Sequence, residues 1–138
     1  MRIKIKKLHE DAVVPKYAYF GDACVDLVAV RKWTDNYDRV CYGTGLAIEI
    51  PEGHVGLLFP RSSISKKALR LSNSVGVIDS GYRGEVIVKF DRLGPNQYEV
   101  GERVVQLMLL SNPSIQFVEV TELRPSDRDT GGFGSSGN

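Results

Sequence analysis

Short runs of apolar or alternating residues, each bounded by glycine, proline or asparagine, recur along the 138-residue chain. Such runs are typical of β-strands, whose side chains alternate between two faces. The runs that predict strands read RIKIKKL, GLAIEIP, HVGLLFP, GEVIVKF, RVVQLMLL and IQFVEV. Only SISKKALRLS could form a helical turn or two. The pattern predicts an all-β domain, and because many brief strands must close or stack to cover their edges, we expect a compact barrel or sandwich.

The strand pattern ends after Pro125. The remaining residues read SDRDTGGFGSSGN and have no periodicity, so we expect a domain over residues 1–125 and a flexible Gly/Ser-rich arm over residues 126–138. One interpretation of such a composition is a disordered tail. The alternative is a phosphate-binding arm, because glycine amides can converge on an anion and Arg128, Ser135 and Ser136 add donors. The exposed Phe133 favours the second interpretation.

Composition and charge exclude several classes of protein. Basic and acidic residues number 18 and 17, a net charge of +1, so we expect neither a nucleic acid nor a membrane as a partner. The N-terminus lacks the apolar core of a signal peptide and no stretch is long enough to span a bilayer, so we expect the cytoplasm. Cys24 and Cys41 form no CxxC pattern, and both are expected to be reduced.

Two segments carry candidate chemistry. In FPRSSISKK, Arg61 offers a planar fork of donors, and Ser62 and Ser63 add hydroxyls that suit a phosphate, although an ordinary polar turn has the same composition. GVIDSGYRGEV places Asp79 in a segment that predicts a buried hairpin, where an unpaired carboxylate is costly. Asp79 therefore has either a chemical role or the role of a turn cap. Gln106 similarly interrupts an apolar run with a side chain that needs partners.

Other familiar sites are absent from the sequence. There is no phosphate-binding G-x-x-x-x-G-K-[ST] loop, and GTGLAI lacks the third glycine of a dinucleotide fingerprint. His9 and His54, with two scattered cysteines, give no zinc spacing, so we expect no metal held by the protein alone. Carboxylates remain as the candidate bases.

Five segments in order along the chain resemble the five motifs of the trimeric deoxyuridine triphosphatase (dUTPase) family. They read GDACVDLVA, PRSSIS, GVIDSGYRGEV, GERVVQLML and RDTGGFGSSG. The resemblance covers nearly the whole chain. It implies a β-barrel or jelly-roll subunit of the β-clip type, a homotrimer with shared active sites, and magnesium-dependent hydrolysis of dUTP to dUMP and pyrophosphate.

The resemblance also implies catalytic roles at matching positions. Asp79 would deprotonate the water that attacks the α-phosphorus, and Gln106 would bond that water or a phosphate oxygen. Asp26 would touch the water shell of a Mg²⁺ ion that is held mainly by phosphate oxygens.

By the same resemblance, the substrate is bound in three parts. Tyr82 would pack under the deoxyribose and exclude a 2′-hydroxyl, although a barrel aromatic is the structural alternative. The uracil edge would be recognised by Asn73 together with the backbone of Gly76 and Ile78. The α- and β-phosphates would be bound by Arg61, Ser62 and Ser63, and the arm would supply Arg128, Gly134, Ser135 and Ser136 for the γ-phosphate and Phe133 for stacking on uracil.

Three positions depart from the family pattern. Cys24 and Asp129 stand where glycine is common, and Gly81 stands where some members carry an acid. Two alternative functions also stay open: the related dCTP deaminases use the same scaffold, and a non-catalytic sensor of dUTP would use the ordering of its arm as a signal.

Overall fold

The computed structural model describes residues 1–137 and consists of two antiparallel sheets, which confirms the predicted all-β fold. Asn138, the last residue of the predicted arm, lies outside the described residues. The strands are β1 (Lys4–Lys7), β2 (Val25–Val28), β3 (Arg31–Thr34), β4 (Val40–Glu49), β5 (His54–Phe59), β6 (Leu69–Leu71), β7 (Gly76–Ile78), β8 (Glu85–Arg92) and β9 (Arg103–Ser111). A 3-10 helix covers Ser62–Lys66. Within residues 1–137, no helix has the length and apolarity that crossing a membrane requires.

The order of the strands determines which loops meet. In the five-stranded sheet, β8 pairs with one edge of β4, β1 and β3 pair with the other, and β6 extends the sheet beyond β8. The four-stranded sheet has the order β2-β9-β5-β7. Its register aligns Asp26 of β2 with Gln106 of β9, and Gln106 in turn with Phe59 at the end of β5. Residues that are far apart in sequence therefore lie side by side at one end of this sheet.

Side chains of both sheets form one hydrophobic core. Its largest members are aromatic: the rings of Phe90 and Tyr98 lie edge-on to Tyr42, with centroid distances of 5.7 and 6.3 Å. The Tyr42 hydroxyl donates a 2.8 Å hydrogen bond to the Tyr98 carbonyl. Burial raises the pKa of Tyr42, so the hydroxyl remains a neutral donor. The buried polar atom is thereby satisfied, as a close-packed core requires.

A bulge interrupts the pairing of β4 with β8 between Gly43 and Ala47. Side chains replace the missing ladder bonds: Thr44 Oγ1 donates to the Val86 carbonyl at 2.8 Å, and Glu85 Oε1 accepts the Gly45 amide at 2.8 Å. Gly45 has a φ of +65°, a conformation that favours glycine. The bulge thus fixes the start of β8. This is the end of the hairpin that connects β7 to β8.

The prediction of a strand for IQFVEV is wrong. Residues 112–125 contain no strand, and the apolar side chains there are exposed: Ile115, Phe117, Val118, Val120 and Leu123. A strand needs a partner edge, and within residues 1–137 no element pairs with this segment. Conversely, β2, β3 and β7 were not among the predicted strand runs, because three or four residues give too short a pattern. SISKKALRLS divides between the 3-10 helix and β6.

We expect Gly45→Ala to destabilise the fold more than Gly53→Ala. Both glycines have a positive φ, of +65° and +73°, which costs alanine roughly 1 kcal/mol or more. A Cβ at Gly45 would also lie 2.7 Å from His9 Cβ, whereas a Cβ at Gly53 would meet nothing within 4 Å. Urea unfolding at one protein concentration measures the difference. Equal losses would contradict this account of the bulge.

Candidate active site

Five of the predicted site residues line one pocket of about 470 Å³ between β7 and β8, the hairpin pocket. They are Asn73, Gly76, Ile78, Asp79 and Tyr82. Strand β7 forms the pocket edge because it pairs with β5, with Gly76 opposite Leu58. A Cβ at Gly76 would lie 3.0 Å from Leu58 Cβ, so glycine allows this close approach. The residues predicted to bind the base and sugar and to activate water therefore lie around one pocket.

The hairpin that carries Asp79 is not buried, contrary to the sequence-based expectation. Ile78 is buried at the end of β7, but Asp79 is exposed and Tyr82 is 46% exposed. The Tyr82 amide donates to the Asp79 carbonyl at 3.1 Å and closes the turn through the backbone. In residues 1–137 no protein group hydrogen-bonds the Asp79 carboxylate, so this side chain does not cap the turn. It is free to accept a hydrogen bond from a ligand or a water.

A second pocket, of about 980 Å³, contains Asp26, Arg61, Ser62 and Gln106. Arg61 Nε donates to Asp26 Oδ1 at 2.7 Å, and Gln106 Nε2 donates to the Pro60 carbonyl at 2.8 Å. Both bonds follow from the register of β2, β9 and β5 described above. Because Gln106 uses its amino group on Pro60, its side-chain oxygen remains available as an acceptor.

Arg103 belongs to this second pocket and was not predicted. Its Nη1 donates to Asp26 Oδ2 at 3.3 Å, so the Asp26 carboxylate lies between two guanidinium groups. The available signal was a charged residue directly before the apolar run of β9. The second pocket therefore carries more positive charge than the sequence analysis assigned to it.

The Ser63 side chain takes a different direction from that of Ser62. Its hydroxyl lies 3.2 Å from Arg61 Nη1 and 2.9 Å from the Tyr98 hydroxyl, in a cavity that Ser62 does not line. Ser62, by contrast, is exposed at the second pocket. The Ser63 hydroxyl is thus occupied in orienting Arg61, and its role toward phosphate stays a prediction.

The predicted arm residues line neither pocket. Arg128, Phe133, Gly134, Ser135 and Ser136 are exposed, and Arg128 Nε donates only to the Gly131 carbonyl at 2.9 Å. The two pockets also share no lining residue. One chain therefore presents the predicted site in three separate parts.

A family model, described as dUTPase, matches residues 10–137. The chain belongs to the dUTPase family. A deoxyuridine 5′-triphosphate nucleotidohydrolase of Hydrogenobaculum sp. (strain Y04AAS1) is 40% identical, with 99% of each chain covered. Among solved structures, the dUTPase of Staphylococcus bacteriophage 80alpha with dUPNHPP is 25% identical, with 99% of each chain covered and a TM-score of 0.85.

A third comparison is a mutant dUTPase from phage phi11 of S. aureus, described as coordinating a structural Mg(II) ion. It is 21% identical, covers 88% of this chain and 98% of that chain, and has a TM-score of 0.75, which indicates the fold. Together the comparisons confirm the predicted family, the jelly-roll fold and the prediction of a dUTP hydrolase.

The departures from the dUTPase pattern are accommodated locally. Asp129 has a φ of +42°, in the left-handed region where glycine is favoured but aspartate is tolerated. Cys24 is half-buried in the second pocket, and burial, with the Asp26 and Asp22 carboxylates, raises the pKa of its thiol. The thiol therefore stays neutral beside Asp26.

We expect Arg61→Lys to lower kcat/KM for dUTP by roughly 10- to 100-fold, the range of one charged hydrogen bond. Lysine keeps the charge, but its donors share one nitrogen, whereas Arg61 reaches Asp26 with Nε and Ser63 with Nη1. Steady-state kinetics of the purified variant measures the loss. The matched control is Arg92→Lys, which alters an arginine of β8 outside both pockets and should leave kcat/KM unchanged. A wild-type kcat/KM in Arg61→Lys would show that the guanidinium group of Arg61 is not needed.

Proposed function

We propose that this dUTPase hydrolyses dUTP to dUMP and pyrophosphate by attack of a water on the α-phosphorus. The observation that carries the proposal is the Asp79 carboxylate, exposed at the wall of the hairpin pocket with no protein partner in residues 1–137. Asp79 orients the water and accepts its proton as the new O–P bond forms. The bond from the α-phosphorus to the bridging oxygen breaks in line, and pyrophosphate leaves.

The hairpin pocket suits a pyrimidine deoxynucleoside. Asn73 presents both donors and acceptors, and the backbone of Gly76 and Ile78 adds a second polar edge for uracil. The ring of Tyr82 provides an apolar wall against the sugar, where a 2′-hydroxyl has no room and no partner. Recognition of the base and rejection of ribose thus belong to one turn and the strand before it.

The second pocket and the arm suit the triphosphate. Arg61, Ser62 and Gln106 contact the α- and β-phosphates, and the unpredicted Arg103 adds a second guanidinium group beside Arg61. The arm adds Arg128, Gly134, Ser135 and Ser136 for the γ-phosphate and Phe133 for the base. Ordering about a dozen arm residues costs several kcal/mol or more, so closure requires the full triphosphate.

The donor set in the second pocket fits a magnesium ion bound through the substrate. Within residues 1–137, no group of three His, Cys, Asp or Glu side chains could enclose a metal. Two carboxylates line this pocket, and Asp22 already accepts a hydrogen bond from the Tyr19 amide at 2.8 Å, which leaves Asp26 as the candidate. One carboxylate suffices, because Mg²⁺ keeps several waters while binding one carboxylate and substrate phosphates. Asp26 would hold such a water, with Arg61 and Arg103 keeping its carboxylate in place. When bound, the ion would neutralise phosphate charge.

A homotrimer with three composite sites is part of the proposal. The proposal is supported by the separation of the hairpin pocket, the second pocket and the arm within one chain, since neighbouring subunits could bring these parts together. The exposed apolar side chains of residues 112–125 also need cover, and a second copy of the chain can supply it. Both cysteines are free thiols, in keeping with the proposed cytoplasmic location.

We expect Asp79→Asn to lower kcat by roughly 10²- to 10⁴-fold, because the amide cannot accept the water proton. Pyrophosphate release from dUTP, dTTP, dCTP and UTP is measured with magnesium, and the wild type should act on dUTP above the others. The matched control is Asp38→Asn, an exposed residue with a φ of +58°, which asparagine also tolerates. It should keep the wild-type kcat.

Four outcomes would count against the proposal. A wild-type kcat in Asp79→Asn would show that Asp79 is not the base. Ammonia release from dCTP would indicate the deaminase alternative. Tight binding of dUTP without pyrophosphate would indicate the sensor. Hydrolysis in oxygen-18 water should label dUMP, and label in pyrophosphate would contradict attack at the α-phosphorus.

A further inference from the structure

The ring of Tyr82 lies in the space above Gly84. A Cβ built on Gly84 would lie 2.6 Å from Tyr82 Cζ, closer than real Cβ atoms approach a neighbour, and 3.0 Å from Cε2, which is also tight. The Tyr82 hydroxyl donates a 2.9 Å hydrogen bond to the Glu85 carbonyl, which turns the ring back across the chain at residue 84. The position of the ring therefore depends on the absence of a side chain at Gly84.

The acceptor of that hydrogen bond is itself fixed. The Glu85 side chain is only 15% exposed, and its carboxylate accepts the Gly45 amide and pairs with Arg31. These bonds belong to the bulge of β4, opposite the start of β8. The Glu85 carbonyl is consequently a fixed acceptor for the Tyr82 hydroxyl. The position of the ring then depends on the space left at Gly84.

We propose that Gly84 is a positioning residue that sets the selectivity for 2′-deoxyribose over ribose. The proposal rests on the proposed function, in which the Tyr82 ring packs against the sugar. Gly84 touches no substrate in this account. Because Gly84 has no side chain, the Tyr82 ring can lie flat on the hairpin. In that position the ring excludes a 2′-hydroxyl from the sugar pocket. A side chain at residue 84 would move the ring outward and change the sugar pocket.

The structure separates this role from a role in stability. The atoms that a new Cβ would meet belong to the outer end of the Tyr82 side chain, which is 46% exposed and can swing into solvent. Gly84 is not among the residues with positive φ, so alanine fits its backbone and also restricts the unfolded chain. A change of selectivity without loss of stability is thus the signature of the proposal.

The experiment compares Gly84→Ala with Gly81→Ala in the full chain. Gly81 lies in the same turn, has no positive φ, and a Cβ there would meet nothing within 4 Å. We expect Gly84→Ala to lower the ratio of kcat/KM for dUTP to that for UTP by about tenfold or more, within the range of a steric pocket. Gly81→Ala should keep the wild-type ratio, and both variants should unfold near the wild-type temperature by circular dichroism.

The action through Tyr82 has its own test. In a Tyr82→Ala background, Gly84→Ala should have no further effect on the ratio, because the ring it displaces is gone. If Gly84→Ala fails to fold, Tyr82→Phe tests the same ring position, because it removes the hydrogen bond to the Glu85 carbonyl. The ratio should again fall, and an unchanged ratio in Tyr82→Phe would overturn the proposal.

Each failure has a distinct result. An unchanged ratio in Gly84→Ala, or an equal fall in both backgrounds, would overturn the role of Gly84 while leaving dUTP hydrolysis intact. A wild-type protein that does not hydrolyse dUTP, or that does not prefer it to UTP, would instead overturn the proposed function.

Discussion

The central constraint is the separation, within one chain, of the chemical groups that the proposed mechanism brings to one substrate. The free carboxylate of Asp79 lies in one pocket, the guanidinium groups beside Asp26 lie in another, and the arm touches neither. β-Structure positions the two pockets: β7 and β8 hold the first, and β2, β9 and β5 hold the second. In the proposed mechanism, neighbouring chains bring the two pockets and the arm to one substrate molecule.

This separation explains features that are unfavourable in an isolated chain. Residues 112–125 expose several large apolar side chains, and Asp26 holds the guanidinium groups of Arg61 and Arg103 close together at the second pocket, the proposed site of the phosphates. Soluble monomers rarely expose such a patch without a partner. The arm is a further such feature, because Arg128, Phe133 and Ser135 are exposed and line neither pocket. In the proposed mechanism, contacts with phosphate and base offset the entropy of ordering the arm when substrate and a second subunit are both present.

The fold and much of the site could be predicted from sequence, because strand periodicity and fixed motifs are local signals. The pocket residues Asn73 to Tyr82 lie within a single turn and strand, so their grouping needed no knowledge of topology. The contact of Arg103 with Asp26 depends instead on the register between β2 and β9. The different directions of Ser62 and Ser63, and the position of the Tyr82 ring above Gly84, depend on side-chain conformations that a sequence pattern does not encode. The strand predicted for IQFVEV failed for a related reason, since periodicity indicates a strand but does not supply its partner edge.

The most direct test of the central claim is complementation between two inactive variants of the full chain. One is Asp79→Asn, which lacks the base, and the other is Arg128→Ala combined with Phe133→Ala, which lacks the contacts of the arm. Co-expressed in equal amounts, they should form mixed trimers in which about one quarter of the sites combine an intact hairpin from one chain with an intact arm from another. Recovery of dUTP hydrolysis to about that fraction is predicted. Mixed assemblies that remain inactive would show that hairpin and arm act within one chain, and would contradict the account.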